Sequence, residues 1–314
     1  MASEAVTISG EHDSHKRERF PRVQIFPLFR KWLKWSIKCG LLKTKSRELS
    51  NMKIIVCIKQ VPDPSASSSG IKVDTEAKRV IMPQGTPPVM NPYDENALEA
   101  ALKIKDSHGA VITVISAGRN LAKPLLRKSL AVGANNLILL EDNAFENLDS
   151  YATAHLLAAA IREIGEYDLI LCGRQAADTD AGQVGSGIAE ILKIPCITTA
   201  SKVEPSNGTV RVERVVSDGW EVIEVPTPAL VTASSEIGEL RYPKLKALQA
   251  AQKMPITVRT GQELGVDVSQ LKRLSMVRLS APPGRKAECQ FIGGETPEEA
   301  GTNLAVKLRE AKLL

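Results

Sequence analysis

Aromatic residues are scarce in this sequence, at 4% of 314 residues, so any core must be built from Ala, Val, Ile and Leu. Histidine is scarcer still: there are four, and no two in the body of the chain stand at metal-ligand spacing. The five cysteines (Cys39, Cys57, Cys172, Cys196 and Cys289) form no C-x-x-C pair, which excludes a zinc ribbon or a disulfide framework and points to a reducing compartment. Cys57, Cys172 and Cys196 stand in apolar runs, where a free thiol behaves as a small hydrophobe. No uninterrupted apolar run is long enough for a transmembrane helix.

A strongly charged body is also lacking. The net +5 is unevenly spread: residues 1–51 hold eleven Lys and Arg against five Asp and Glu, a net +6, leaving −1 for the rest. A near-neutral body gives no bulk-charge support for binding nucleic acid. The basic leader contains "FPLFRKWLKWSIKCGLLKTK", Phe26 to Lys45, which has no secretory signal's apolar core. It reads as a disordered tail or as sequence upstream of the true start at Met52, with peripheral attachment to an anionic membrane as the functional alternative. The expected location is the cytoplasm.

From Met52 onward, apolar runs alternate with helix-period segments. "KIIVCIKQV", "AVITVISAG", "NNLILLED", "YDLILCG" and "PCITTASKV" are strand-like, and four helical stretches lie between them. The first helix, around "DENALEAALKIKD", has Asn91 or Asp94 available as its cap. This alternation predicts an α/β fold with a doubly wound, Rossmann-like parallel sheet. "TVRVERVVSD-GW-EVIEVPTPALVTAS" predicts a β-hairpin turning at Asp218-Gly219, followed by one more strand. Beyond Ser235 little core-forming periodicity remains until a terminal helix opened by Thr296, Pro297 and Glu299, a capping box. The expected organisation is a leader over 1–51, a nucleotide-binding domain over 52–235, and an extended arm over 236–314.

Between the fourth strand and fourth helix stands "GRQAADTDAGQVGSGIAE", Gly173 to Glu190. A strand, a glycine-bearing loop and a helix N-terminus make a natural phosphate cradle, because free amides and the helix dipole face the loop. Gly182, Gly185 and Gly187 are expected to let the backbone approach a ligand, and Gln183 offers an amide. Asp178 and Asp180 suit hydroxyl or amino donors of a ribose or base, or cap the helix. The alternative is a glycine-rich loop serving only helix–strand packing. There is no G-x-x-x-x-G-K-[ST], no G-x-G-x-x-G after the first strand and no pyrophosphate loop there, so hydrolase and ligase chemistry is disfavoured. The pattern suits holding a nucleotide rather than cleaving one. A stand-alone nucleotide-binding sensor is the rival on this fold.

"VCIKQVPD", "MNPYDENALEAALKIKD", the cradle, "VERVVSDGWEVIEVPTPALVTA" and "LGVD", in this order, resemble the β subunit of electron transfer flavoprotein, over Met52 to Leu314. The resemblance implies a heterodimer with an α subunit that carries most of an FAD site. That flavin takes electrons from dehydrogenases and passes them to a membrane quinone oxidoreductase. It also implies a fold of the adenine-nucleotide-binding type, whose cradle holds AMP, or a second FAD in bifurcating members that use NADH. The chain is then an electron-carrier subunit with no acid–base or nucleophilic residue of its own. By position the pocket comprises Cys57, Asn91, Pro92, Tyr93, Asp94 and Ala117. Gly173, Arg174, Gln175, Ala176, Asp178, Thr179 and Asp180 continue it, with Gly182, Gln183, Val184 and Gly185 completing the loop. "DTDAGQVGSG" shares Q-V-G with the bifurcating type but not its full order, so AMP and FAD both stand. "SSEIGELRYPKLKAL" aligns with the family's docking loop toward partner dehydrogenases, with Ile237 at the anchor position.

Overall fold

The computed structural model describes residues 52–66, 71–83, 85–281 and 289–314. The basic leader lies outside the described residues. The chain falls into two compact units: Met82–Met276 with the chain up to Ile71, and Lys72–Ile81 with Val277–Leu314. The first unit therefore continues beyond the boundary expected at 235.

In chain order the strands are β1 (Met52–Cys57), β2 (Gln60–Val61), β3 (Lys72–Asp74), β4 (Arg79–Ile81), β5 (Val89–Met90), β6 (Ala110–Gly118) and β7 (Asn136–Glu141). They continue with β8 (Leu169–Gly173), β9 (Cys196–Ser206), β10 (Thr209–Val216), β11 (Gly219–Pro226), β12 (Ala229–Ala233) and β13 (Thr257–Arg259). The helices are α1 (Pro92–His108), α2 (Lys123–Leu126), α3 (Lys128–Val132), α4 (Ser150–Ile164), α5 (Val184–Leu192), α6 (Leu245–Lys253), α7 (Val268–Leu271) and α8 (Pro297–Glu310).

Nine strands form one sheet in the order β11-β10-β9-β12-β8-β1-β6-β7-β13. The stretch from β9 to β13 is parallel throughout, and β10 and β11 add antiparallel pairs at one edge. The fold is thus the expected Rossmann-like, doubly wound α/β class. From β1 the chain steps to β6 and β7 on one side and then returns to β8 on the other. That reversal puts the topological switch point between β1 and β8, and ligands of such sheets bind at the carboxyl ends there.

Both faces are covered, so the central strands are apolar on both sides. One face packs on α1, α3 and α6 through residues such as Leu98, Leu102, Leu130 and Ala251. The other packs on α4, α5 and α7 through Leu156, Ile161, Ile188 and Val268, with Phe145 beside them. Burying a Leu or Ile side chain of this kind contributes about 1.5–3 kcal/mol, which is how a core poor in aromatics is held.

Four sequence expectations are corrected. The hairpin pairs Val216 with Gly219, so its turn is Ser217-Asp218, one residue earlier than expected, and β9 runs on through Ser206 to make it a three-strand meander. The second helical stretch is two short helices that meet at Arg127, whose Nη1 reaches the carbonyls of Ala251 and Met254 at the end of α6. The segment after Ser235 supplies α6, the edge strand β13 and the buried Val268. In the second unit, Thr296 Oγ1 accepts from the Glu299 amide, as a capping box requires, but Glu299 Oε2 reaches the Glu295 amide instead of that of Thr296.

Candidate functional site

The carboxyl edge between β1 and β8 is tied together by the first turn of α1. Asn91 occupies the N-cap position of α1, yet its side chain does not cap it. Nδ2 donates to Gln175 O at 2.8 Å and Oδ1 accepts from Ala177 N at 3.0 Å, so a buried amide serves the cradle backbone as a strand would. Its own backbone N–H donates to Lys59 O, at the end of the first strand segment.

Asp94 is not a cap either. Its Oδ2 accepts from the amide of Lys59 at 2.7 Å and its Oδ1 from the amide of Gly173 at 2.9 Å, joining the chains that leave β1 and β8. Burial pushes its carboxyl up from 3.8 to about 7, against the pull of those two amides. A buried carboxylate is tolerable only when donors meet it. Gly173 is what allows this approach, since a Cβ there would stand 2.6 Å from the backbone carbon of Tyr93 and closer still to Asp94 Oδ1.

The loop beyond Gly173 is held at several points. Arg174 lies over the Tyr93 ring at 4.6 Å and donates from Nη2 to Tyr93 Oη at 3.2 Å, while its Nε is buried with no hydrogen-bond partner. Gln175 Nε2 donates to Asp180 Oδ1 at 2.7 Å. The amides of Thr179 and Asp180 both donate to Ala176 O, and Asp180 sits at φ +50. Lys59 Nζ meets both oxygens of Asp178 at 2.7 Å, a pair that spans from the end of β1 to the cradle. Gly182, at φ +62, leads to Gln183, which stands at the N-cap of α5 with no side-chain cap bond. Val184 opens α5, whose first-turn amides have no acceptor within their own helix.

The expected pocket residues therefore separate into two groups. Asn91, Tyr93, Arg174, Gln175, Ala176, Asp178, Thr179, Asp180, Gly182, Gln183 and Val184 belong to one connected loop at the edge, with Pro92 at N1 of α1. Cys57 lies in the core of the α4–α5 face, with Ala117 half-buried against that core and Cys172, which the sequence did not place in the pocket, beside Cys57. Cys57 and Cys172 are register partners, and a hydrogen bond to Cys57 together with burial pushes the Cys172 thiol up.

Two glycines expected to approach a ligand are also required by packing. A Cβ at Gly185 would meet Thr232 Cγ2 at 2.7 Å, and one at Gly187 would meet Ala154 Cβ at 2.9 Å. Both let α5 sit down on β12 and α4. Lys59 joins the site residues through Asp178, and its place just after the first strand is the sequence signal for it.

Ile237 is corrected as well. It is buried at 6% exposure in the short 3-10 turn Ser235–Ile237, which folds it into the core beside α1, so it offers no surface to a partner. The exposed apolar residues of that segment are Tyr242 at 93% and Leu245 at 72%. Among the described residues no cluster of three or more His, Cys, Asp or Glu is placed to hold a metal ion. No described helix is long and apolar enough to cross a membrane.

An open parallel sheet with a built loop at its switch point defines the class: a doubly wound, Rossmann-like α/β protein. The particular family follows from comparison. The family model described as "Electron transfer flavoprotein domain" matches residues 78–264. "Electron transfer flavoprotein subunit beta" of Thermoanaerobacterium thermosaccharolyticum is 40% identical over 268 residues, 84% of this chain and 100% of that protein. "Caffeyl-CoA reductase-Etf complex subunit CarD" of Acetobacterium woodii is 37% identical over 268 residues, again 84% of this chain and 100% of that protein. "Protein FixA" of Azotobacter vinelandii is 36% identical over 265 residues, 81% of this chain and 92% of that protein. The chain belongs to the electron transfer flavoprotein family and, within it, to the β subunits.

Proposed function

We propose that this chain is the nucleotide-holding subunit of a heterodimeric electron transfer flavoprotein, and that the loop Gly173–Gly185 holds an adenine nucleotide, either AMP or a second FAD. The observation that carries the reading is the Asn91 side chain bound to Gln175 and Ala177, which holds the loop open at the switch point and directs it into the N-terminus of α5. The donor set fits a phosphate-bearing ligand. Arg174 has an unpartnered buried Nε, Gln183 has no capping role, and the first-turn amides of α5, which have no acceptor within their own helix, follow an exposed loop over 178–183. Asp178 and Asp180, paired here with Lys59 and Gln175, are the acceptors for ribose or base donors.

When bound, flavin supplies the redox chemistry; the residues of this chain bind, orient and present. The FAD shared with an α subunit would take electrons from dehydrogenases and deliver them to a membrane quinone oxidoreductase. The second compact unit supports the partner reading: Val277, Phe291, Leu313 and Leu314 are all more than two-thirds exposed, a pattern that a second subunit would cover. For partner dehydrogenases, Tyr242 and Leu245 replace Ile237 as the residues offered for docking.

The test is to express the chain with a flavin-binding α subunit, denature the purified complex and identify the released nucleotides. One FAD with one AMP gives a conventional carrier, and two FAD without AMP give a bifurcating one using NADH. Asp180→Ala with Gln183→Ala should then release the cradle nucleotide and leave the α-subunit flavin bound. Unchanged nucleotide content in that variant removes the cradle assignment.

A further inference from the structure

The first turn of α1 serves the cradle, but the same helix carries a second set of polar groups that the cradle does not use. Asn96, Glu99, Lys103 and Asp106 are spaced three or four residues apart and share one stripe. All four meet one stretch of chain, residues 237–241. Asn96 Nδ2 donates to Gly238 O at 2.7 Å, and Lys103 Nζ to Ile237 O at 2.5 Å. Glu99 accepts from Arg241 through its backbone N at 3.1 Å, its Nε at 3.1 Å and its Nη2 at 2.8 Å. Arg241 Nη1 donates to Asp106 Oδ2 at 2.7 Å.

Glu99 is only 5% exposed. A carboxylate that deep is costly unless a forked, fully charged donor meets it. The Glu99 hydrogen bond, with Asp106 adding to it, holds the Arg241 guanidinium above its ordinary pKa, so its charge is permanent. Immediately beyond this clamp the chain becomes exposed, and Tyr242 and Leu245 project from it.

We propose that Arg241, seated on Glu99 and Asp106, is a positioning residue for partner docking: it fixes the root of the segment that presents Tyr242 and Leu245. The proposal rests on the electron-carrier reading above for the identity of the partner, a flavin-containing dehydrogenase. Asn91 and Asp94 at one end of α1 and the Glu99–Asp106 stripe further along make one 17-residue helix common to the cradle and the docking root. Lysine does not replace arginine here, because a point charge cannot make the forked contact with Glu99 and still reach Asp106.

The test uses the heterodimer with Arg241→Ala and Arg241→Lys. Flavin reduction is followed with a reduced acyl-CoA dehydrogenase as protein donor, and separately with dithionite, a small reductant that needs no docking. Arg241→Ala is expected to raise KM for the protein donor about tenfold, with kcat, the dithionite rate and bound-nucleotide content unchanged. Arg241→Lys should recover only part of that loss. Amide exchange at Ile237–Leu240 should quicken in Arg241→Ala, whereas Tyr242→Ser should raise KM without changing exchange. An unchanged KM in Arg241→Ala overturns the proposal. So does a parallel fall in the dithionite rate and nucleotide content, which would mean general loss of structure. A wild-type complex that accepts electrons from dithionite but from no protein donor would instead overturn the docking part of the carrier reading, a distinct result.

Discussion

The residue on which the site depends most is Asp94, because it satisfies two main-chain donors that no other group reaches in its place. Asp94→Ala leaves the amides of Lys59 and Gly173 without their acceptor. Each stranded donor costs about 1–3 kcal/mol, so the variant should lose about 2–6 kcal/mol in urea denaturation. The raised pKa also gives a pH signature. Between about 4 and about 7 the folded protein keeps a proton on Asp94 that the unfolded chain has released, so stability falls as pH rises through that window and levels off above it. Asp94→Asn should flatten this slope while lowering stability throughout, because its amide group turns a donor toward one of the two N–H groups. A wild-type slope that survives in Asp94→Asn would place the titrating group elsewhere.

At the scale of elements, the question is what the glycines of the cradle are for. The close approach of Gly185 to Thr232 Cγ2 makes Gly185→Ala an overpacking change between α5 and β12. The expected cost is about 1–3 kcal/mol, and Thr232→Ser, which removes the offending methyl and keeps the hydroxyl that accepts from Thr199 N, should restore part of it. If the double variant is no more stable than Gly185→Ala alone in thermal melts, the contact is not what limits the glycine. The loop sequence left packing and ligand approach open as alternatives, because a glycine for helix seating and one for ligand approach look alike. The parallel sheet was legible, because β1, β6, β7 and β8 are continuous apolar runs separated by helices of the right length. The site's location followed from it. The use of Asn91 and Asp94 was not legible, since an Asn-Pro helix entry has the pattern of a cap and only the fold brings residues 175–177 and 173 against it. β13 escaped for a different reason. Three residues, two of them exposed, leave no alternation to detect, and the strand exists because β7 offers it an edge.

At the scale of the molecule, the first unit closes its own core, while among the described residues the second does not. In α8 no residue is buried, and Phe291, Leu313 and Leu314 stand exposed beyond either end of it. Apolar side chains left in water along an arm of this length are a liability for a lone chain and an asset for one half of a heterodimer, where obligate interfaces commonly bury about 2,000 Å² or more. Removing residues 277–314 should therefore abolish stable pairing with the flavin-binding α subunit in size-exclusion chromatography. The first unit, whose sheet and both packed faces lie within 52–276, should keep a cooperative melt. Pairing that persists at full affinity would assign the interface to the first unit, and a shortened chain that no longer melts cooperatively would show that the arm also supports its own subunit. Substituting Phe291 alone with Ser separates these outcomes: it should weaken pairing about tenfold if the ring is an anchor in the partner, and at 94% exposure it has almost no packing to lose in the isolated chain.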